Sequence, residues 1–104
     1  DAYETEQTFV VQMDLAGMSP RDIEVSTDGE TLVVRGIRQD IAPPGKKHYS
    51  KMEINVGPFE RHIAIPVEVD PQSALARYQN GFLYVTLKKG RRRVYQRRRI
   101  DVDA

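Results

Sequence analysis

The chain has no cysteine and only two histidines, His48 and His62, far apart in sequence. Without thiols there is no disulfide framework and no thiolate metal site, and the histidines lack metal-ligand spacing. No apolar run approaches the length of a membrane span, and no signal peptide is visible. Sustained helical periodicity is missing throughout. There is also no glycine-rich phosphate loop, no Ser-His-Asp order and no paired metal carboxylates. Asp28-Gly29-Glu30 lacks the further oxygen ligands of a calcium loop and reads as hairpin chemistry. His48 beside Tyr49, and His62 beside Arg61, read as strand-surface residues. The expectation is a cytoplasmic, non-enzymatic protein with no cofactor, no metal and no membrane partner.

What is present is one domain of 104 residues, 39% hydrophobic, enough for a modest core. Net charge is +1 but unevenly placed. Residues 1–87 hold eight basic and thirteen acidic side chains, a balance of −5; residues 88–104 hold eight and two, a balance of +6. The end of the chain is therefore a cationic arm on a mildly acidic body, and charge blocks of this kind are commonly solvated. Arg91-Arg92-Arg93 and Arg97-Arg98-Arg99 with Tyr95 between them also fit a nucleic-acid contact. Their place between a strand and a short aliphatic motif favours a linker, and nucleic acid is not the expected partner.

Apolar residues alternate in short runs. Phe9, Val11 and Met13 face one way; Ile23 and Val25 alternate with Glu24 and Ser26; Thr31 to Ile37 is rich in β-branched residues. Met52, Ile54 and Val56 alternate with Glu53 and Asn55, Ile63 and Ile65 with His62 and Ala64, and Phe82 to Leu87 closes the set. Period two over such lengths predicts half-buried strands. Ser19-Pro20 predicts one short helical turn. Asp28-Gly29 and Asn80-Gly81 predict tight hairpins, the second linking Ala74–Gln79 to Phe82–Lys88. Gly57-Pro58 is expected to interrupt the run from His48 to Ile65, because proline cannot donate to a ladder. The polar connection Gln39–Lys47 is longer than most hairpin loops. The predicted architecture is an all-β, two-sheet antiparallel sandwich of immunoglobulin-like form.

The last feature is Ile100-Asp101-Val102. In an extended segment its two aliphatic side chains share one face, the arrangement needed for strand addition to a groove. Residues Gly90 to Arg99 extend roughly 33–36 Å at full stretch, enough to reach a neighbouring domain.

Four segments together resemble the small heat-shock protein family, the alpha-crystallin domain of bacterial and plant type. Asp14-Leu15-Ala16-Gly17-Met18 with Asp22-Ile23-Glu24-Val25 is similar to its D-L-P-G stretch and following strand. Gly57-Pro58-Phe59-Glu60-Arg61 to Ile65-Pro66 resembles G-x-F-x-R…L-P. Ala76 to Leu83, with Asn80-Gly81, resembles A-x-x-x-N-G-V-L, and Ile100-Asp101-Val102 resembles the tail motif I-x-I/V. Ala16 stands where the family has proline, and Pro58 where it has lysine or another polar residue.

The resemblance implies an alpha-crystallin domain over 1–89 and a flexible extension over 90–104, with the family's variable N-terminal arm outside these residues. It implies an ATP-independent holdase that binds non-native client proteins and assembles with itself. Ile100 and Val102 would dock on another subunit, in a groove lined by Ile23, Val25, Leu75 and Tyr78. A dimer would form by lending the loop Arg38–Tyr49 to the partner's first strand, placing Tyr3, Arg38, His48, Tyr49 and Arg61 at or near the interface. A CS-domain co-chaperone adaptor shares the sandwich and is the alternative, but lacks both the tail motif and the long pairing loop.

Overall fold

The alternating runs become strands whose inward residues build a two-layer core. In the computed structural model, residues 1–38, 57–90 and 97–104 are described. They contain strands β1 (Ala2–Glu4), β2 (Thr8–Asp14), β3 (Ile23–Thr27), β4 (Thr31–Arg38), β5 (Gly57–Ala64), β6 (Leu75–Gln79), β7 (Phe82–Lys88), β8 (Arg98–Ile100) and β9 (Val102–Asp103). One sheet has the order β1-β2-β7-β6-β9, the other β5-β4-β3-β8. Phe9, Val11, Leu83, Val85 and Leu87 from the first sheet meet Ile23, Val25, Leu32 and Val34 from the second, all buried. β2, β3, β4, β6 and β7 each send alternate residues to this layer, as the pleat requires.

The turns follow their local chemistry. Asn80 and Gly81 both adopt positive φ, +54° and +83°, the two central positions of a type I′ turn, and they close the β6–β7 hairpin. At the β3–β4 turn, one oxygen of Asp28 accepts the N–H groups of Glu30 and Thr31, each at 2.9 Å. Ser19 precedes a single 3-10 turn, Pro20–Asp22; the Asp22 carboxylate accepts the Ser19 N–H at 3.3 Å.

Pro58 lies within β5, opposite Ile37, and the part of its expected run before Gly57 lies outside the described residues. Among the described strands β5 is the edge of its sheet, where a missing N–H costs no ladder bond. The sandwich is not wholly antiparallel, because β9 pairs with β6 in parallel. The expected strand over Met52–Val56 and the connection Gln39–Lys47 lie outside the described residues.

Candidate functional site

At one side of the sandwich, β3 and β6 would each end its sheet, and the end of the chain covers both. β3 alternates in burial: Ile23 is 4% exposed and Val25 and Thr27 are fully buried, while Glu24 and Ser26 point outward and are half-buried. The Thr27 hydroxyl donates to the Thr31 carbonyl at 3.0 Å and accepts the Gly29 N–H at 3.1 Å. The buried polar atom is therefore satisfied within its own hairpin.

The tail runs antiparallel to β3, with Ile100 opposite Val25, Arg99 opposite Ser26 and Arg98 opposite Thr27. At Asp101, which is exposed and belongs to neither strand, the chain passes to the other sheet. Val102 then lies beside Ala76 and Asp103 beside Arg77, in parallel register. Ile100 is 5% exposed and belongs to the main core cluster; Val102 packs against that cluster. Full burial of a side chain the size of Ile100 stabilises by about 1.5–3 kcal/mol. The Ile-x-Val spacing therefore spans two sheets, one aliphatic side chain for each.

Of the four residues expected to line the groove, three lie in or against this cluster: Ile23, Val25 and Tyr78. Tyr78 is half-buried, and its hydroxyl donates to the Leu15 carbonyl at 2.7 Å and accepts the Met18 N–H at 3.3 Å. Leu75 is different. It is 68% exposed on the outer face of its sheet, because the alternation of β6 turns Ala76 and Tyr78 inward and Leu75 and Arg77 outward. The wall position is Ala76, 3% exposed, whose small side chain leaves room for Val102. The signal for Ala76 was its even spacing from Tyr78; the greater hydrophobicity of Leu75 concealed it.

β8 and β9 pair with β3 and β6 of their own chain; the docking expected from the sequence concerns a second chain. Arg97, which the sequence reading treated as part of a solvating run, donates to Thr31 and Ser26 on the β3–β4 hairpin.

The residues expected at a dimer interface are spread out. Tyr3, 49% exposed, lies on β1, whose only partner among the described strands is β2. Its neighbour across the pair is Val10. Arg38 ends β4, half-buried. Arg61 is exposed on β5, opposite Val34, and shares with Arg38, Asp1, Asp14 and Phe59 a cleft of about 540 Å³. Arg61 donates to the Glu60 carbonyl at 3.3 Å and has no carboxylate partner among the described residues. His48 and Tyr49 lie outside the described residues.

His62 belongs to a surface network. Its Nε2 is 2.6 Å from Glu60 Oε2, and Arg35 lies 2.9 Å from the other Glu60 oxygen and 3.8 Å from Glu24. The hydrogen bond from His62, and then the Arg35 guanidinium, hold the Glu60 carboxyl below its usual value. Among the described residues no group of three or more His, Asp or Glu side chains is placed to hold a metal ion. No helix among them is long and apolar enough to cross a membrane.

The fold has counterparts among solved structures. Heat shock protein 16.0 from Schizosaccharomyces pombe superposes with a TM-score of 0.77 at 29% identity, covering 92% of this chain and 89% of that one. A small heat-shock protein from Xylella fastidiosa superposes at 0.73 with 33% identity, covering 100% and 94%. Spore protein SP21 of Stigmatella aurantiaca is 32% identical over 95% of this chain and 57% of its own length. The chain spans about three fifths of the length of several curated relatives that it matches. With a sandwich of this topology, a tail laid across its β3 and β6 edges, and a match to the Hsp20/alpha crystallin family model over residues 1–103, the chain belongs to that family.

Proposed function

We propose that the protein is an ATP-independent chaperone that holds unfolding proteins in solution and assembles with itself through its tail. One observation carries this reading: Ile100 pairs opposite Val25 on β3 and Val102 beside Ala76 on β6, which supports a groove between those two edges that takes an Ile-x-Val segment. A site that accepts an extended segment with alternating aliphatic residues suits both a tail and an exposed stretch of a non-native protein. Every copy carries the same groove and the same tail, so a tail leaving its own groove fits a neighbour's without new chemistry, as in domain swapping.

Magnitudes support a dynamic assembly. Two aliphatic side chains contribute a few kcal/mol between them, and ordering the arm costs about 1–2 kcal/mol per residue. A single contact is weak; many tails together are not. The small heat-shock protein from Xylella fastidiosa has a distinct high order structure, in line with such assembly. A dimer formed by the segment around residues 38–49 pairing with the partner's β1, near Tyr3, is the second part of the proposal; it would cover an edge otherwise open to adventitious strand pairing. The cytoplasm is the proposed location.

The test is light scattering of a heat-destabilised client with stoichiometric amounts of the protein, without ATP, alongside native mass. Suppression without nucleotide is expected, and Ile100→Gly/Val102→Gly should shrink assemblies to dimers. A requirement for ATP, or an unchanged assembly size in the double variant, would overturn the corresponding half of the reading.

A further inference from the structure

Among the described residues, Arg97 makes specific contacts that Arg98 and Arg99 do not. Its Nη1 donates to the Thr31 carbonyl at 3.2 Å and to the Ser26 hydroxyl at 3.3 Å, and its Nη2 lies 3.4 Å from Asp28 Oδ2. All three acceptors belong to one hairpin: the end of β3, its turn, and the first residue of β4. The turn itself builds the receptor. Asp28 Oδ1 is occupied by the N–H groups of Glu30 and Thr31, which orients the carboxylate and leaves Oδ2 for the guanidinium. Arg98 and Arg99, by contrast, make no side-chain hydrogen bond or ion pair among the described residues.

The aliphatic motif alone is a poor address. Ile-Asp-Val is nearly symmetric, so a reversed segment presents two aliphatic side chains at the same spacing. Burial is non-directional and so defines neither the polarity of the segment nor its register. The Arg97 contact does both, because it lies three residues before Ile100 and only one end of the groove has the hairpin.

We propose that Ser26, Asp28 and Thr31 form a guanidinium-binding subsite, and that the groove recognises the pattern Arg-x-x-Ile-x-Val. This rests on the tail-in-groove reading and adds to it the class of partner. The fitting segment is extended, carries an arginine three residues ahead of an alternating aliphatic pair, and in the first instance is the tail of another copy. Lysine is a poor substitute: a planar fork reaches a carbonyl, a hydroxyl and a carboxylate from two nitrogens, whereas an ammonium offers a single point of charge.

The test uses the full chain carrying Ile100→Gly and Val102→Gly, titrated by fluorescence anisotropy with labelled peptides of residues 97–104. Relative to the parent peptide, Arg97→Gln should bind about three- to tenfold more weakly, a partly exposed charge-assisted contact being lost. Arg97→Lys should recover only part of this. Arg98→Gln, with the same change in charge, should leave Kd nearly unchanged. Asp28→Asn in the chain keeps the oxygen that closes the turn; it should weaken the parent peptide similarly and abolish its advantage over the Arg97→Gln peptide. In the otherwise unaltered chain, Arg97→Gln should speed amide exchange in β8 and β9 by a similar factor. Equal binding of parent and Arg97→Gln peptides, or an equal loss with Arg98→Gln, would overturn the subsite and leave the tail-in-groove reading intact. If the parent peptide bound no better than one with glycine at both aliphatic positions, that reading would fail and the subsite with it.

Discussion

Tyr78 donates its hydroxyl to the carbonyl of Leu15 at 2.7 Å, joining residues 63 positions apart in sequence. The same oxygen accepts the Met18 N–H, so one phenol holds both sides of the bend at Ala16-Gly17 against β6. Tyr78→Phe leaves both backbone groups without this partner in a part-buried site. A loss of about 1–2 kcal/mol is expected, read as a Tm several degrees lower by calorimetry. An unchanged Tm would show that the bend is held by its other contacts.

Gly36 should tolerate no side chain. It faces Ile23 across the β3–β4 pair, and a Cβ there would sit 2.6 Å from the Asp22 carbonyl oxygen and 3.0 Å from two Phe59 ring carbons. The backbone atom cannot swing aside as a side chain can. Gly36→Ala is expected to destabilise by about 1–3 kcal/mol in urea unfolding. Gly90→Ala, whose Cβ would meet, among the described residues, only Asp70 Cβ at 3.9 Å, serves as the control with little effect.

Leu75 and Ala76 should separate outer face from groove. Leu75→Ala removes an exposed side chain and should change stability by no more than about 0.5 kcal/mol, with the tail still docked. Ala76→Leu should crowd Val102 and release it, seen as faster amide exchange over residues 98–103. Equal effects of the two substitutions would place the tail elsewhere.

Acid should loosen the hairpin that receives Arg97. Burial tends to raise the pKa of Asp28, but the N–H groups of Thr31 and Glu30 and the Arg97 charge outweigh it, for a net value below the usual 3.8. A carboxyl depressed by folding contributes stability that is present above 3.8 and is lost as pH falls through its lower folded value. Exchange of the tail amides should therefore accelerate on acidification below about pH 3.8, and less so in Asp28→Asn. Identical pH profiles for the two proteins would remove Asp28 from the account.

Arg61 is the test of the proposed dimer. Within the described residues it bonds only to the Glu60 carbonyl, which leaves its fork available for a carboxylate across an interface. Arg61→Ala should weaken dimerisation in sedimentation experiments, and deletion of residues 39–46 should give folded monomers. A deletion variant still dimeric at micromolar concentration would count against loop exchange.

The sequence made the strands legible where alternation was strong and turns had distinctive residues, as at Ile23–Val25 and at Asn80-Gly81. It was less informative where a local rule met a tertiary circumstance. Proline is a poor strand residue, yet Pro58 sits in β5, which among the described strands is the edge of its sheet. Leucine is a better core residue than alanine, yet the phase of β6 buries Ala76. Nothing local relates Arg97 to Asp28, since the pairing exists only once the tail crosses the hairpin. The parallel pairing of β9 is likewise set by the crossing at Asp101, not by any preference of Val102 or Asp103.

Because Ile100 lies in the same buried cluster as Val25 and Leu83, the segment proposed as a ligand is also a part of the interior. Removing it opens a slot to water beside residues that are otherwise dry, and leaves two rows of backbone N–H and C=O groups unpaired together. Occupancy and melting are then thermodynamically linked: whatever fills the groove raises the temperature at which the sandwich unfolds, and warming that empties the groove lowers the sandwich's own resistance to heat.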